Sequence, residues 1–439
     1  MTNHGSTRAR VLHWFVRGGV AKAADGRSFP IDVDPVVVGR DDGANISIED
    51  PEVSAIHCEL RAMDQGILVR DLGSTNGTYI GPTRIHEAVI TTLTDITLGG
   101  TRITVEPSTK QRVDVGFADH FGPLVGTSPK MRRVFGILEK VAATPLSVII
   151  LGETGTGKEV LAKAIHDHSP RKGKPFVVLD CASIPPTLAE SLLFGQEKGS
   201  PPGSTGATEG RKGAFAEANE GTLFLDELGE LPMDLQPKVL RALSEKQVKR
   251  VGGTTTEPID VRVLAATRRD LGAEMNAGRF RSDLYFRIAQ VRIELPALRE
   301  RLADLPFLVE DICKRVDREE QAPAVLAWIE QRLASHDWPG NVRELVNVVS
   351  VAATLADTPG AIDDVLTLAR SPGEAASGPA TAFGEAKRMA IAGFERDYFI
   401  GLAKRAKGNV SEMARQSGME RHHVRAYLRK YGVDRGAVG

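Results

Sequence analysis

Val148-Ile149-Ile150-Leu151-Gly152-Glu153-Thr154-Gly155-Thr156-Gly157-Lys158-Glu159 decides the fold at the centre of this chain. A short apolar run leads straight into a glycine-rich turn, and residues 160–165 then read as a helix. Strand, glycine loop and helix in that order form the setting of a phosphate-binding P-loop. Glycines let backbone N–H groups turn towards phosphate oxygens, and the helix start adds positive dipole. Residues Gly152, Glu153, Thr154, Gly155, Thr156, Gly157, Lys158 and Glu159 are the candidate ATP-binding loop, with Lys158 aimed at the β and γ phosphates. The generic motif closes on Ser or Thr, and Glu159 stands in that place.

A second element lies downstream. Leu223-Phe224-Leu225-Asp226-Glu227 is an apolar strand ending in two acids. Asp226 is the candidate Mg²⁺ ligand, and Glu227 is the residue expected to polarise an attacking water. From 119 to 370, apolar strands alternate with amphipathic helices, which predicts an α/β domain with a mainly parallel sheet. Residues 10–106 are short β-like runs divided by DDG, STNG and LGG turns, which predicts an all-β sandwich. Residues 371–382 (SPGEAASGPATA) read as a linker, and helical pattern returns over 383–435.

Composition narrows the class. Lys+Arg (56) and Asp+Glu (57) nearly cancel, so charge carries meaning only region by region. The three cysteines are far apart and form no disulfide or metal pattern, which suits a reducing cytoplasm. No apolar run reaches the roughly 18 residues of a membrane span.

Over about 250 residues the centre resembles the AAA+ domain of sigma-54-dependent activators. The resemblance rests on GETGTGKE, ESLLFGQEKG (190–199), GTLFLDELGELP (221–232), LQPKVLRAL (235–243), RFRSDLYFRI (279–288), LPALRERLADLP (295–306) and WPGNVREL (338–345). It implies an α/β AAA+ P-loop domain with a helical lid, ATP and Mg²⁺ as cofactors, and ring hexamers. By that likeness Arg281 and Arg287 reach the neighbouring subunit's γ-phosphate, Arg343 is the second-sensor arginine of the lid, and Thr267 occupies the first-sensor strand end. Two positions depart from the pattern: Asp180 and Arg268 each replace an asparagine. The family's asparagine at the first of these is thought to hold the catalytic glutamate, so Asp180 belongs to the catalytic set. The sigma-54-contacting loop, GAFTGA in the family, is GSPPGSTGA here (199–207). Gly199, Thr205, Gly206 and Ala207 remain, and the aromatic anchor is absent.

The two ends complete the reading. Residues 383–439 hold 12 Lys+Arg against 6 Asp+Glu. Asn409 reads as a helix cap with Glu412 three residues on, the helix stops at Gly418, and Val424, Tyr427, Leu428 and Tyr431 line one face of the next. The segment resembles a Fis-type helix-turn-helix, an all-α DNA-binding domain. Arg421, His422 and Arg425 are candidates for base edges, Arg429 and Lys430 for phosphate. Near the N-terminus, Gly39-Arg40, Ser54-Ala55-Ile56-His57 and residues 71–78 (DLGSTNGT) resemble the forkhead-associated (FHA) domain, which binds phosphothreonine. Arg40, Ser54, Ser74, Thr75 and Asn76 are its candidate contacts, and His57 is expected to brace the loop. Together these features describe a cytoplasmic, DNA-binding, ATP-driven activator of sigma-54 RNA polymerase that answers to a phosphothreonine protein. The alternative is a DNA-binding regulator in which ATP controls assembly only, or whose target is not sigma-54.

Overall fold

The computed structural model describes residues 13–114, 118–197, 210–355 and, further on, 406, 409–417, 419, 421, 424 and 428. Among the described residues no helix is long and apolar enough to cross a membrane.

The N-terminal region is a two-sheet β-sandwich. One sheet runs Ser28–Ile31, His13–Ala23, Thr101–Asp114, Thr94–Leu98, Thr78–Ile80, Thr83–Ile85; the other runs Ile46–Ser47, Val36–Gly39, Cys58–Ala62, Ile67–Asp71, Glu87–Ile90. Inward-facing residues alternate along the strands, and Val38, Leu60, Val69, Ile96, Ile103 and Val105 from the two sheets fill one core. The last strand continues to Asp114, beyond the boundary at 106 expected from the pattern.

The central sheet has five parallel strands in the order Phe176–Asp180, Thr222–Asp226, Arg262–Thr267, Val148–Leu151, Val291–Glu294. Both faces are covered, so its inner strands are apolar throughout. Ile149, Leu223, Leu225, Val263 and Ala265 pack on one side, whereas Val148, Ile150, Phe224, Leu264 and Ala266 pack on the other. The P-loop strand sits between the third strand and the edge strand Val291–Glu294. Crossovers diverge at that point, leaving a crevice at the strand C-termini. Helices Leu305–Arg315, Ala322–Arg332 and Asn341–Leu355 form the lid.

The C-terminal region forms a separate unit. Helix Val410–Ser417 is capped by Asn409, whose Oδ1 accepts from the Glu412 N–H at 3.3 Å. Ala406, Met413, Val424 and Leu428 form its small core, as the apolar spacing predicts.

Candidate functional site

The P-loop leaves its strand at Leu151 and enters helix Lys158–Asp167. Gly155 has φ 80°, and a Cβ there would collide with the Gly340 carbonyl oxygen of the lid, so only glycine fits. Lys158 is buried. Its Nζ donates to the Gly152 and Glu153 carbonyls at 2.9 and 3.2 Å and lies 3.9 Å from Glu227 Oε1. Burial pushes its pKa down, opposed by the charges of Glu227 and Asp226.

The acidic strand delivers Asp226 and Glu227 beside it. Asp226 accepts from the Glu227 N–H at 3.0 Å. Burial raises its pKa, and the Glu227 and Asp180 charges add to that effect. The Lys158 charge opposes that rise, and the half-buried Asp226 carboxylate could hold a divalent cation. Glu227 holds a left-handed backbone, φ 47°, a conformation that costs a non-glycine residue about 1–2 kcal/mol. Such strain persists only where surrounding contacts over-determine it. Here the Glu227 Oε2 accepts from the Arg268 N–H at 3.2 Å, with the Arg268 Nε 4.0 Å from Oε1. Thr267 is fully buried at its strand end, and its Oγ1 accepts from the Arg269 N–H at 3.0 Å.

Asp180 stands opposite Asp226 in the parallel ladder. Its Oδ1 accepts from the Ala182 N–H at 3.0 Å, within its own turn. Glu227 meets Lys158 and Arg268, and the sequence marks Arg268 only as a departure from pattern.

Two further residues escaped the sequence reading. Asn341 is fully buried with φ 53°. Its Oδ1 accepts from the Leu298 N–H at 2.8 Å, while its Nδ2 donates to the Thr154 carbonyl at 3.0 Å and to Glu153 Oε2 at 3.1 Å. Arg299 grips the same Glu153 carboxylate at 2.5 and 2.8 Å. That fork, with the Asn341 hydrogen bond, holds the Glu153 pKa down to about 2. Glu153 thus ties the P-loop to the lid. Arg343 follows on the lid helix: its N–H donates to the Gly155 carbonyl at 3.2 Å, and its charge helps lower the Lys158 pKa. Only the motif WPGNVREL signals this latch in sequence.

The arginines expected to act across subunits stand at the surface. Arg281 forms a fork with Asp283 at 2.6 and 3.0 Å, and Arg287 donates to the Leu243 carbonyl at 3.0 Å.

In the sandwich, Arg40, Thr75 and Asn76 are exposed on neighbouring loops. Ser54 Oγ accepts from the Thr75 N–H at 3.0 Å, and Asn76 Nδ2 donates to the Glu52 carbonyl at 2.8 Å. Ser74 turns inward, donating to Asp71 at 2.5 Å and accepting from the Gly77 N–H at 3.0 Å. Buried His57 accepts from the Ser54 N–H at Nδ1, so Nε2 carries the proton that meets the Gly77 carbonyl, both at 3.1 Å. Burial lowers its pKa, and this neutral ring braces the two loops as expected.

Arg421 is exposed. His422, Arg425, Arg429 and Lys430, and Gly199, Thr205, Gly206 and Ala207 of the altered loop, lie outside the described residues.

Comparison with known proteins bears on the same regions. Residues 124–294 match the Sigma-54 interaction domain, residues 36–99 the FHA domain and residues 299–377 the AAA+ ATPase lid domain. The response regulator protein PilR of Pseudomonas aeruginosa is 40% identical over 315 residues, covering 71% of this chain and 70% of PilR. The Nif-specific regulatory protein of Azotobacter vinelandii is 48% identical over 246 residues, 56% of this chain. The chain spans only 47% of that relative's length. Among solved structures, NtrX from Brucella abortus in complex with ADP is 36% identical, with a TM-score of 0.49, covering 71% of this chain and 69% of NtrX.

Proposed function

The chain belongs to the sigma-54-dependent transcriptional regulators, and from that membership we propose that it is an ATP-driven bacterial transcription activator that binds DNA, works in the cytoplasm and is governed by phosphothreonine recognition. The observation that carries this reading is the convergence of Lys158, Asp226, Glu227 and Thr267 at the ends of adjacent parallel strands, under a lid latched to the P-loop. Lys158 leaves its loop carbonyls to meet the β and γ phosphates. Asp226 would hold Mg²⁺, which would offset phosphate charge when bound. Glu227 accepts a proton from the attacking water, and Thr267 holds the strand end in register beside it. Arg281 and Arg287 release their own-chain partners and offset transition-state charge in a neighbouring subunit, an effect worth on the order of 10³–10⁵ in rate in comparable enzymes. Arginines acting in trans require an oligomer, and the family's ring hexamer supplies the neighbouring subunit.

The C-terminal helix pair, with its surplus of positive charge, holds DNA through phosphate contacts from Arg429 and Lys430 and base contacts from Arg421, His422 and Arg425. In the sandwich, the exposed Arg40 supplies the charge-assisted fork for phosphate, while Ser54, Thr75 and Asn76 complete the cradle. Residues 199–207, in which Gly199, Thr205, Gly206 and Ala207 survive, make a weaker contact with sigma-54 than an intact aromatic loop. That altered loop also favours the second reading, in which ATP governs assembly alone. Steady-state ATPase tests the primary reading: Lys158→Ala should abolish turnover, and Glu227→Gln should bind ATP while hydrolysing it very slowly. A wild-type protein without ATPase at any concentration defeats the motor.

A further inference from the structure

The end of the sandwich that carries the phosphothreonine candidates is also the end seated on the P-loop domain. Ile56 and Leu72 lie two residues from Ser54 and Ser74. Both are buried in one apolar cluster with Leu271, Met275 and Tyr285 of the P-loop domain. Between them sits Asn276, the last residue of helix Leu271–Asn276. Its Nδ2 donates to the Ile56 carbonyl at 2.6 Å and to the Leu72 carbonyl at 2.8 Å. One side-chain amide therefore spans the two loops that must close together on a phosphate. The same loops are joined on their other side by the Ser54–Thr75 hydrogen bond and by His57.

A second contact reaches the arginine-bearing segment. Gly43, three residues past Arg40, packs so tightly against Phe286 that a Cβ there would lie 2.5 Å from the ring. Phe286 belongs to helix Ser282–Ile288, which starts after Arg281 and contains Arg287. A charge ladder fixes the register of the dock. Glu59 and Arg61 alternate on one sandwich strand, Arg292 and Glu294 on the edge strand of the parallel sheet. They pair crosswise, Arg292 with Glu59 at 3.1 Å and Glu294 with Arg61 at 2.5 Å. Glu59 is 1% exposed, so this seam is costly to open without a replacement partner.

We propose that phosphothreonine binding and the placement of the Arg281–Arg287 segment are one linked equilibrium, with Asn276 as the positioning residue that joins them. The proposal rests on the phosphothreonine and ATPase readings above. A phosphate drawn between the Ser54 and Thr75–Asn76 loops moves the Ile56 and Leu72 carbonyls with them. Asn276 follows both, and five residues later the chain reaches Arg281, whose N–H is anchored to buried Gln236 at 2.8 Å. Packed interfaces of this kind change between discrete arrangements rather than deforming smoothly. Linkage is reciprocal: the factor by which nucleotide changes phosphopeptide affinity is the factor by which phosphopeptide changes nucleotide affinity.

The test uses the full chain, a phosphothreonine peptide selected from a degenerate library, and its unphosphorylated counterpart. The Kd of the phosphopeptide is measured with no nucleotide and with Mg²⁺, ADP and aluminium fluoride. The wild-type Kd should change about five-fold or more between the two states, the lower edge of ordinary coupling. Nucleotide Kd should change by the same factor when phosphopeptide is added. Asn276→Ala and Asn276→Asp should each bring the ratio close to one while still binding both ligands separately. A wild-type ratio of one, or an unchanged ratio in both variants, overturns the proposal. Equal binding of both peptides with normal ATPase removes the phosphothreonine reading and this inference with it. Absence of nucleotide binding instead removes the ATPase reading, and again this inference with it.

Discussion

Replacing Asn341 separates two effects that usually act together, side-chain hydrogen bonding and backbone strain. Its amide makes three hydrogen bonds of 3.1 Å or less, to the Leu298 N–H, the Thr154 carbonyl and Glu153, and a long one of 3.5 Å to the Pro339 carbonyl. At a net value of about 1 kcal/mol for each of the three shorter bonds, their loss costs about 3 kcal/mol. The backbone adds a second cost, because φ is 53°. Asparagine tolerates the left-handed region better than alanine does, and glycine adopts it freely. Asn341→Ala should therefore lose about 4 kcal/mol and Asn341→Gly about 3 kcal/mol, although glycine is the smaller residue. Urea unfolding of the nucleotide-free protein, followed by tryptophan fluorescence, measures the difference, since Trp338 is buried three residues away. Because the same amide holds the P-loop, nucleotide Kd should weaken in both variants. An alanine variant as stable as the glycine variant, or more so, would refute the strain argument. Unchanged nucleotide affinity in both would refute the latch.

Other outcomes follow from the charges at the site. The Asp226 pKa is raised above its ordinary value of 3.8, so its ionised form costs folding free energy once pH exceeds the carboxylate range. Asp226→Asn should raise the Tm of the metal-free protein at neutral pH, with the gain fading as pH falls through the raised folded-state pKa towards 3.8 and absent below it; chelator should lower the nucleotide-bound Tm of wild type and leave the variant unmoved. The Glu153 pKa is held below its ordinary 4.5, at about 2. Its contribution is present above the ordinary value and lost as pH falls towards 2, so acid titration of Tm should be flatter in Glu153→Gln than in wild type. Deletion of residues 383–439 should abolish salt-sensitive DNA binding and leave the P-loop domain folded; gel-shift titrations at two salt concentrations measure this.

The sheet and its candidate catalytic strand ends are legible in sequence because their signals are local. Four apolar residues before a glycine loop, or before two acids, state both the element and its chemistry within a dozen positions. The sandwich is legible for a similar reason: each turn motif sits on one loop. The latch and the dock are of another kind. Arg299 and Glu153 meet across 146 residues, Asn341 and Glu153 across 188, and Asn276 reaches Ile56 across 220. No window of sequence contains both partners, and a buried asparagine is not distinguishable from a surface one by pattern. Ser74 shows the same limit at short range. Within STNG both hydroxyls look alike, and only the fold turns Ser74 towards Asp71 and leaves Thr75 exposed.

Whether nucleotide turnover is joined to sigma-54 is tested most directly by capture. Purified sigma-54 is offered to the full chain without nucleotide, with ADP, and with ADP and aluminium fluoride. Capture should appear only with the transition-state mimic, should vanish in Lys158→Ala, and should strengthen when residues 199–207 are rebuilt as GAFTGA. An active ATPase that captures no sigma-54 in any nucleotide state contradicts that coupling and leaves a DNA-binding regulator in which ATP controls assembly only or whose target is not sigma-54.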